Sequence, residues 1–182
     1  MTDAGFMNLE RKYCALDEVT GDGTVVSGYA SLFGITDQGG DVVQKGAYGK
    51  SLEQITQSGR KVKMLWQHDP ACPIGVWDEV REDDRGLWVK GRILADVQSG
   101  AEALALLKAG AIDGLSIGYR TIRAAKSQKG ERLLHELDLW EVSLVTFPML
   151  PEARVEAEAK ADAALASSLV ATFEAARRSL LA

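Results

Sequence analysis

The sequence predicts a mainly β protein with some α-helix, in which six or seven strands form a barrel flanked by two short helices and followed by a C-terminal helix. Several runs of the chain alternate apolar and polar residues between turn-rich breaks. Two short stretches have helical spacing with end signals, and the composition shifts to Ala, Glu and Lys beyond Pro148. We therefore divide the chain into an N-terminal segment (1–11), a barrel domain (12–150) and a helical tail (151–182).

The composition limits which classes of protein the chain can belong to. The 182 residues, 46% of them hydrophobic, are enough to bury one sizeable core. The 21 basic residues are scattered among 26 acidic ones, so nucleic acid is not an expected partner. Cys14 and Cys72 are too few for a disulfide framework and fit a reducing compartment. No signal peptide is visible, and no apolar run reaches the roughly 18 residues of a membrane span, so we expect a soluble, cytoplasmic protein without membrane contact.

The first part of the barrel domain predicts a β-hairpin and a helix. Residues 12–33 alternate around a Gly-rich break at 20–23, as two strands joined by a turn would. A turn-rich stretch at 36–40 leads to a short apolar step at 42–43. Residues 47–57 then carry helical spacing that ends at Ser58 and Gly59.

A strand that ends in a histidine is predicted next. Four residues share one face at period two, and these are Val62, Met64, Trp66 and His68. His68 is therefore expected to end the apolar face of a strand, with a loop following at 69–73.

The central part of the domain predicts a second hairpin and a second helix. Strands at 74–80 and 87–94 flank the charged turn 81–86. Ser99 to Glu102 has the form of a capping box, and residues 103–108 followed by Gly110 complete a helix with both a start and a stop signal.

Two strands and a tail complete the predicted elements. Residues 112–122 and 133–147 alternate as strands, and the connection 123–130 is polar and contains glycine. In the tail, apolar residues recur at spacings of four and three, namely Leu165, Leu169, Phe173, Ala176 and Leu180. An amphipathic helix follows, which either packs against the domain or binds a partner.

Ser116 is the most conspicuous candidate for a nucleophile. Gly114 and Gly118 leave room for another chain's backbone to approach its hydroxyl. A serine needs a nearby base to become nucleophilic, and the chain has only two histidines, His68 and His135. Taken alone, a serine between glycines is more often a tight strand crossing.

Two other kinds of site are disfavoured by the sequence. The glycines around Ser116 match the nucleophile elbow of α/β-hydrolases, but that elbow requires a sharp turn into a helix, whereas 117–122 continues as a strand. A metal site could draw on Cys14, His68, Cys72 and His135, yet only one close spacing exists and there is no CxxC pair. We expect neither a metal ion nor a cofactor.

A carboxylate is needed to orient the histidine. On one face of 133–147, Glu141 lies in an otherwise mostly apolar row, where a carboxylate demands a partner. Glu136 and Asp138 occupy the other face and would serve if that face is turned toward Ser116. The alternation alone leaves this register open.

Several fragments together resemble one family, the prohead proteases of tailed phages, which are similar to the herpesvirus assemblins. The resemblance covers residues 25 to 155 and includes His68-Asp69 after an apolar strand, the Leu-Ser116-Ile-Gly-Tyr strand, and Leu-Trp-Glu141-Val-Ser-Leu-Val-Thr-Phe-Pro148. Four further fragments in the family's order are Gly28-Tyr-Ala-Ser-Leu-Phe, Asp41-Val-Val-Gln-Lys-Gly46-Ala47, Pro73-Ile-Gly75-Val and Gly86-Leu-Trp-Val. The resemblance implies a closed, assemblin-like β-barrel with serine protease activity.

The resemblance also assigns roles to residues. It implies His68 as the general base, Ser116 as the nucleophile and Glu141 as the third member, which is acidic in phage enzymes where assemblins use a second histidine. His135 lies only 19 residues after Ser116, against 25 for Glu141, and is interpreted as an ordinary strand residue. Assemblins use an arginine beyond their third residue, so Arg154 is a candidate oxyanion donor, as is Arg120 on the serine's strand.

The function implied is that of a serine endopeptidase of prohead maturation. Its expected substrates are the major capsid protein precursor or its scaffold segment and the protease itself, inside the immature capsid in the host cytoplasm. A homo-oligomer is possible. The alternative is a non-catalytic component of capsid assembly or scaffolding that keeps a degenerate protease barrel.

Overall fold

The computed structural model describes residues 10–15, 18–20 and 24–147. The predicted C-terminal helix, the tail 151–182 and most of the predicted N-terminal segment lie outside the described residues. The strands are β1 (Glu10–Ala15), β2 (Glu18–Thr20), β3 (Val25–Leu32), β4 (Asp41–Val43), β5 (Lys63–Trp66), β6 (Asp69–Glu82), β7 (Gly86–Ile93), β8 (Gly114–Lys126) and β9 (Arg132–Val145). The helices are α1 (Gly49–Ser58) and α2 (Gln98–Lys108).

All the strands belong to one mixed sheet. Its order is β1-β8-β9-β5-β6-β7-β3-β2, and β4 pairs in parallel with the start of β9. The sheet is strongly curled into a half-barrel, because β1 approaches β3 although the two lie near opposite ends of the order. Within the described strands the ladder does not close, since β1 pairs with β8 and β2 with β3. The mainly β class is thus confirmed, whereas a closed barrel is not shown.

The core fills the inside of the curled sheet. Leu87, Val89 and Ile93 point inward at alternate positions of β7, as period two requires. Tyr48 and Met64 are also buried in this cluster, and α1 and α2 both pack against the sheet. Burying each large apolar side chain contributes about 1.5–3 kcal/mol. This core fixes the positions of the central strands.

Both predicted helices are present, with changes at their starts. The first begins at Gly49, two residues later than predicted, and is followed by Gly59 in the left-handed conformation (φ 68°). The predicted capping box is wrong, because α2 begins at Gln98 after Val97, which makes no side-chain cap bond. Ser99 therefore lies within the first turn of the helix. Gly110 follows the helix with φ 69°, as its predicted stop signal implied.

The first predicted hairpin is divided in two. Only residues 18–20 pair with β3, whereas residues 10–15 pair with β8 at the other end of the sheet. The strand predicted before the Gly-rich break therefore forms two strands that join different neighbours. Alternation indicates that a segment is a strand but not which strand it joins.

His68 does not end a strand as predicted. The strand β5 ends at Trp66, which pairs with Asp69 at the start of β6, so Gln67 and His68 form a two-residue hairpin turn. Both turn residues have positive φ, 51° and 63°. Positive φ at both central positions is the requirement of a type I′ turn, which usually uses Asn-Gly. Residues 69–73, predicted as a loop, consequently belong to β6.

The second predicted hairpin and the last two predicted strands are present. Strands β6 and β7 pair in antiparallel register around residues 83–85, and β8 and β9 pair around residues 127–131. The strand β6 begins five residues earlier and ends two residues later than predicted, and β8 extends four residues further, to Lys126. Among the described residues, no helix is long and apolar enough to cross a membrane.

The β6–β7 turn is held by one carboxylate. Asp83 accepts hydrogen bonds from the backbone N–H groups of Arg85 (2.9 Å) and Gly86 (3.1 Å). It also accepts one from the Tyr29 hydroxyl (2.9 Å) and one from the Arg81 guanidinium (2.7 Å). Burial alone raises the pKa of Asp83, but these hydrogen bonds outweigh it and lower the pKa to about 2.

We predict that Asp83→Asn lowers the free energy of unfolding at pH 7 by about 1 kcal/mol, because partly screened, charge-assisted bonds are lost. The pKa of Asp83 is lowered from its ordinary value of 3.8 to about 2, so its ionisation stabilises the fold fully above pH 3.8 and ceases to do so as the pH falls through about 2. The difference between wild type and variant should therefore shrink from pH 4 to pH 2 in urea unfolding. Asp84→Asn is the matched control, since that side chain is 95% exposed. A difference independent of pH would contradict the prediction.

Candidate active site

The strand β9 brings the candidate residues together. It pairs with β8 on one side, where Ser116 lies opposite Ser143 and Gly118 opposite Glu141. On the other side it pairs in parallel with β5, where Leu65 lies opposite Ser143. The turn that follows β5 then carries His68 back to the same stretch of β9.

These residues lie on the side of the sheet opposite the main core. Leu115 and Ile117 belong to the core cluster, so Ser116 between them points to the other side. On β9, Val142 and Leu144 point into the same core, and the residues between and beside them face Ser116.

Three side chains form a continuous hydrogen-bonded row. Ser116 Oγ lies 2.6 Å from His68 Nε2, and His68 Nδ1 lies 2.5 Å from Glu141 Oε1. A proton on Nδ1 suits an ionised Glu141, which can only accept hydrogen bonds. Nε2 is then the acceptor for the Ser116 O–H. This is the arrangement in which a histidine can remove the proton of a serine hydroxyl.

The row is almost completely shielded from water. The exposed fractions are 0% for Ser116, 5% for His68 and 1% for Glu141. A buried carboxylate is costly unless it is paired and hydrogen-bonded. Glu141 meets this condition through His68 and through the Ser143 hydroxyl, which donates to Oε2 at 2.5 Å.

Gly118 makes room for this carboxylate. A Cβ atom at position 118 would overlap Glu141 Oε1 and crowd the carbons of the same side chain. From the sequence we expected the glycines around Ser116 to admit another chain's backbone. At Gly118 the missing side chain instead admits Glu141.

The structure also places the other carboxylates that the sequence left open. Glu136 pairs with Lys50 at 3.0 Å, and Asp138 pairs with Arg60 at 2.9 Å. Asp138 also accepts a hydrogen bond from the Trp140 indole at 2.6 Å. These two carboxylates thus bind basic groups of the segment around α1, while Glu141 contacts His68.

The remaining candidates lie away from the row. His135 is half-buried near the start of β9. The Arg120 guanidinium stacks on the Trp140 ring at 4.6 Å, four residues along β8 from Ser116. Arg154 lies outside the described residues. As predicted, the chain after Ser116 continues as a strand, to Lys126, and does not make the turn of a nucleophile elbow.

Two neighbouring residues contribute contacts that the sequence did not assign. Ser143 Oγ accepts the backbone N–H of His68 at 3.2 Å, in addition to its bond with Glu141. Gln67 holds the turn to the end of β9 through its backbone N–H, which donates to Leu144 O (2.9 Å), and its side chain, which donates to Thr146 Oγ1 (2.6 Å). The sequence contains one indication of the contact between Ser143 and Glu141: the two residues lie two positions apart and therefore share one face of the predicted strand.

Comparison with known families gives one family over most of the chain. Residues 12–167 match the model of the caudovirus prohead serine proteases. The prohead protease of Enterobacteria phage HK97 is 32% identical over 148 residues, which cover 79% of this chain and 64% of that protein. The chain thus spans slightly less than two thirds of the length of this relative.

Solved structures agree with the fold. The capsid assembly protease of bacteriophage T4 superposes with a TM-score of 0.64 at 14% identity, over 75% of this chain and 96% of that chain. At this identity the likeness concerns the fold alone. The varicella-zoster virus protease matches with a TM-score of 0.39 at 14% identity, over 80% of this chain and 63% of that chain, which is too low to add to the comparison.

We predict that Gly118→Ala displaces Glu141 and slows labelling of Ser116 by a fluorophosphonate about 100-fold, because a shift of about 1 Å in such a site has that effect. Overpacking should cost about 1–3 kcal/mol of the free energy of unfolding. The matched control is Gly49→Ala, whose new methyl group has no neighbour within 4 Å. Labelling at the wild-type rate would show that Glu141 needs no room at position 118.

Proposed function

The chain belongs to the family of caudovirus prohead serine proteases, and on this basis we propose that it is a serine endopeptidase of capsid maturation. The observation that carries the proposal is the row in which His68 Nε2 lies 2.6 Å from Ser116 Oγ and Nδ1 lies 2.5 Å from Glu141. In this proposal Ser116 is the nucleophile, His68 the general base and Glu141 the group that orients the imidazole.

The proposed reaction follows from these contacts. His68 accepts the Ser116 proton at Nε2 while Oγ attacks the peptide carbonyl carbon, which gives a tetrahedral intermediate. The imidazolium is stabilised by Glu141 and then donates its proton to the leaving amine. An acyl-enzyme remains on Ser116, and water, activated by His68, hydrolyses it. Within the buried row the negative Glu141 stabilises the imidazolium more strongly than it would in water.

The burial of Ser116 sets a condition on this reaction. With an exposed fraction of 0%, the hydroxyl has no path for a peptide carbonyl in the described conformation. We propose that the surroundings of Ser116 open transiently, so that a peptide or a small reagent reaches Oγ.

The names of the relatives support the proposed substrates. The HK97 protein is a prohead protease and the T4 protein is a capsid assembly protease. We propose that this chain cleaves the major capsid protein precursor or its scaffold segment, as well as itself, inside the immature capsid in the host cytoplasm. A homo-oligomer and a barrel closed by the full chain belong to the same proposal, and the approach of β1 to β3 supports the latter.

We predict that the purified protein cleaves its cognate capsid precursor and that Ser116→Ala and His68→Ala abolish cleavage. Glu141→Gln should reduce the rate by roughly 10⁴-fold, because the imidazole loses its orienting charge. Cleavage is followed by gel electrophoresis and mass spectrometry of the fragments.

The matched control for this prediction is His135→Ala, which removes the other histidine of the chain and should leave cleavage unchanged. Cleavage that survives Ser116→Ala would exclude the serine mechanism. If the folded wild type leaves the precursor intact while still assembling with it, the protein is the non-catalytic scaffold component instead.

A further prediction concerns the tail. Because residues 152–182 are rich in Ala and Glu and carry an amphipathic repeat, we expect the tail to direct the protease into the immature shell and to be removed there by self-cleavage. Mass spectrometry of protein from mature particles should find chains that end before Ala182, and Ser116→Ala particles should retain full-length chains. Full-length chains in mature wild-type particles would contradict processing.

A further inference from the structure

Ser143 contacts both His68 and Glu141. Its hydroxyl donates to Glu141 Oε2 at 2.5 Å, and its oxygen accepts the backbone N–H of His68 at 3.2 Å. The residue is completely buried, with an exposed fraction of 0%. One hydroxyl therefore joins the side chain of Glu141 to the main chain of His68.

The Ser143 hydroxyl donates its hydrogen bond to the carboxylate oxygen of Glu141 that does not contact His68. Oε1 faces His68, while Oε2 accepts a hydrogen bond from the Ser143 hydroxyl. Without that donor, Oε2 would lose a partner inside a site that excludes water, and a buried acceptor without a partner is costly. The carboxylate would then be free to rotate toward another donor. Ser143 thus fixes the orientation of the carboxylate toward the imidazole.

The hydrogen bond from the His68 amide to Ser143 stabilises the turn formed by Gln67 and His68. His68 has φ 63°, a left-handed conformation that is unfavourable for a residue with a side chain. Such a conformation persists only where the surroundings hold it. The Ser143 oxygen is one of the groups that hold it, because it accepts the amide of the residue itself. The imidazole position depends on this backbone conformation.

We propose that Ser143 is a positioning residue of the proposed serine protease, which sets the imidazole of His68 against Ser116 by holding Glu141 and the His68 main chain at once. The proposal rests on the proposed function for its effect on activity. No proton passes through Ser143, because its hydroxyl hydrogen stays on Oγ, where it is donated in a hydrogen bond to Glu141, and Oγ accepts the amide hydrogen of His68. Its role is therefore geometric.

The test uses Ser143→Ala and Ser143→Thr in the full chain. Loss of the hydroxyl should slow fluorophosphonate labelling of Ser116 about 10- to 100-fold, the range expected for a lost hydrogen bond to a charged group. Ser143→Thr, which keeps the hydroxyl, should recover most of the rate. A second readout is the low-field proton NMR signal of His68 Nδ1–H, which reports the bond to Glu141 without requiring activity. Ser143→Ala should move this signal upfield or broaden it.

The matched control is Ser51→Ala. Ser51 is also buried, and its hydroxyl also accepts a backbone N–H, from Leu139 of the same strand at 2.8 Å. Its loss should lower stability but leave both labelling and the His68 signal unchanged. Urea unfolding of every variant confirms that a folded protein is compared.

The results distinguish the proposed protease function from the proposed role of Ser143. A wild type that is not labelled, but whose His68 signal depends on Ser143, overturns the protease and supports the positioning role. A labelled wild type with an unchanged His68 signal in Ser143→Ala overturns the positioning role, whatever the labelling rate of the variant. Absence of the low-field signal in the wild type would also overturn it.

Discussion

The hydrogen bonds of one buried carboxylate, that of Glu141, hold the candidate site together. Glu141 is buried on the side of the sheet opposite the main core, with an exposed fraction of 1%, and a carboxylate is tolerated there only with partners on both oxygens. His68 satisfies one oxygen and Ser143 the other, and Gly118 leaves the space that the carboxylate occupies. The identities of these residues are therefore coupled. A change at any one of them leaves an unpaired polar group or a steric overlap inside the protein.

The strand β9 is the element that makes this possible. It lies between β8 and β5, and its first residues also pair with β4. Its residues 134, 142 and 144 belong to the main core, whereas 141 and 143 face the polar row on the other side. Packing of the core side chains holds the backbone of β9 in place. The same backbone carries the residues of the row, so the core also fixes their positions. A site built on a central strand is held more firmly than one built on loops.

The sequence predicted more of the elements than of their connections. Alternation identified the β6–β7 hairpin and the strands β8 and β9, and it thereby placed Ser116 and Glu141 on strands, because a half-buried strand repeats at period two. It could not choose between Glu141, Glu136 and Asp138, since that choice depends on cross-strand register and on salt bridges to distant residues. The Gln67–His68 turn was missed because neither residue is typical of positive φ. Gly118 was expected to admit the backbone of another chain, whereas in the structure it makes room for the side chain of Glu141.

The three residues of the row are far apart along the chain. His68 and Ser116 are separated by 48 positions, and His68 and Glu141 by 73. The strand that joins them is the last one described, yet it enters the middle of the sheet between two strands synthesised earlier. During translation the row therefore cannot form until nearly the whole domain has left the ribosome, and such non-local pairing is slow. The order of synthesis thus delays any chemistry at Ser116 until the fold that confines it is complete.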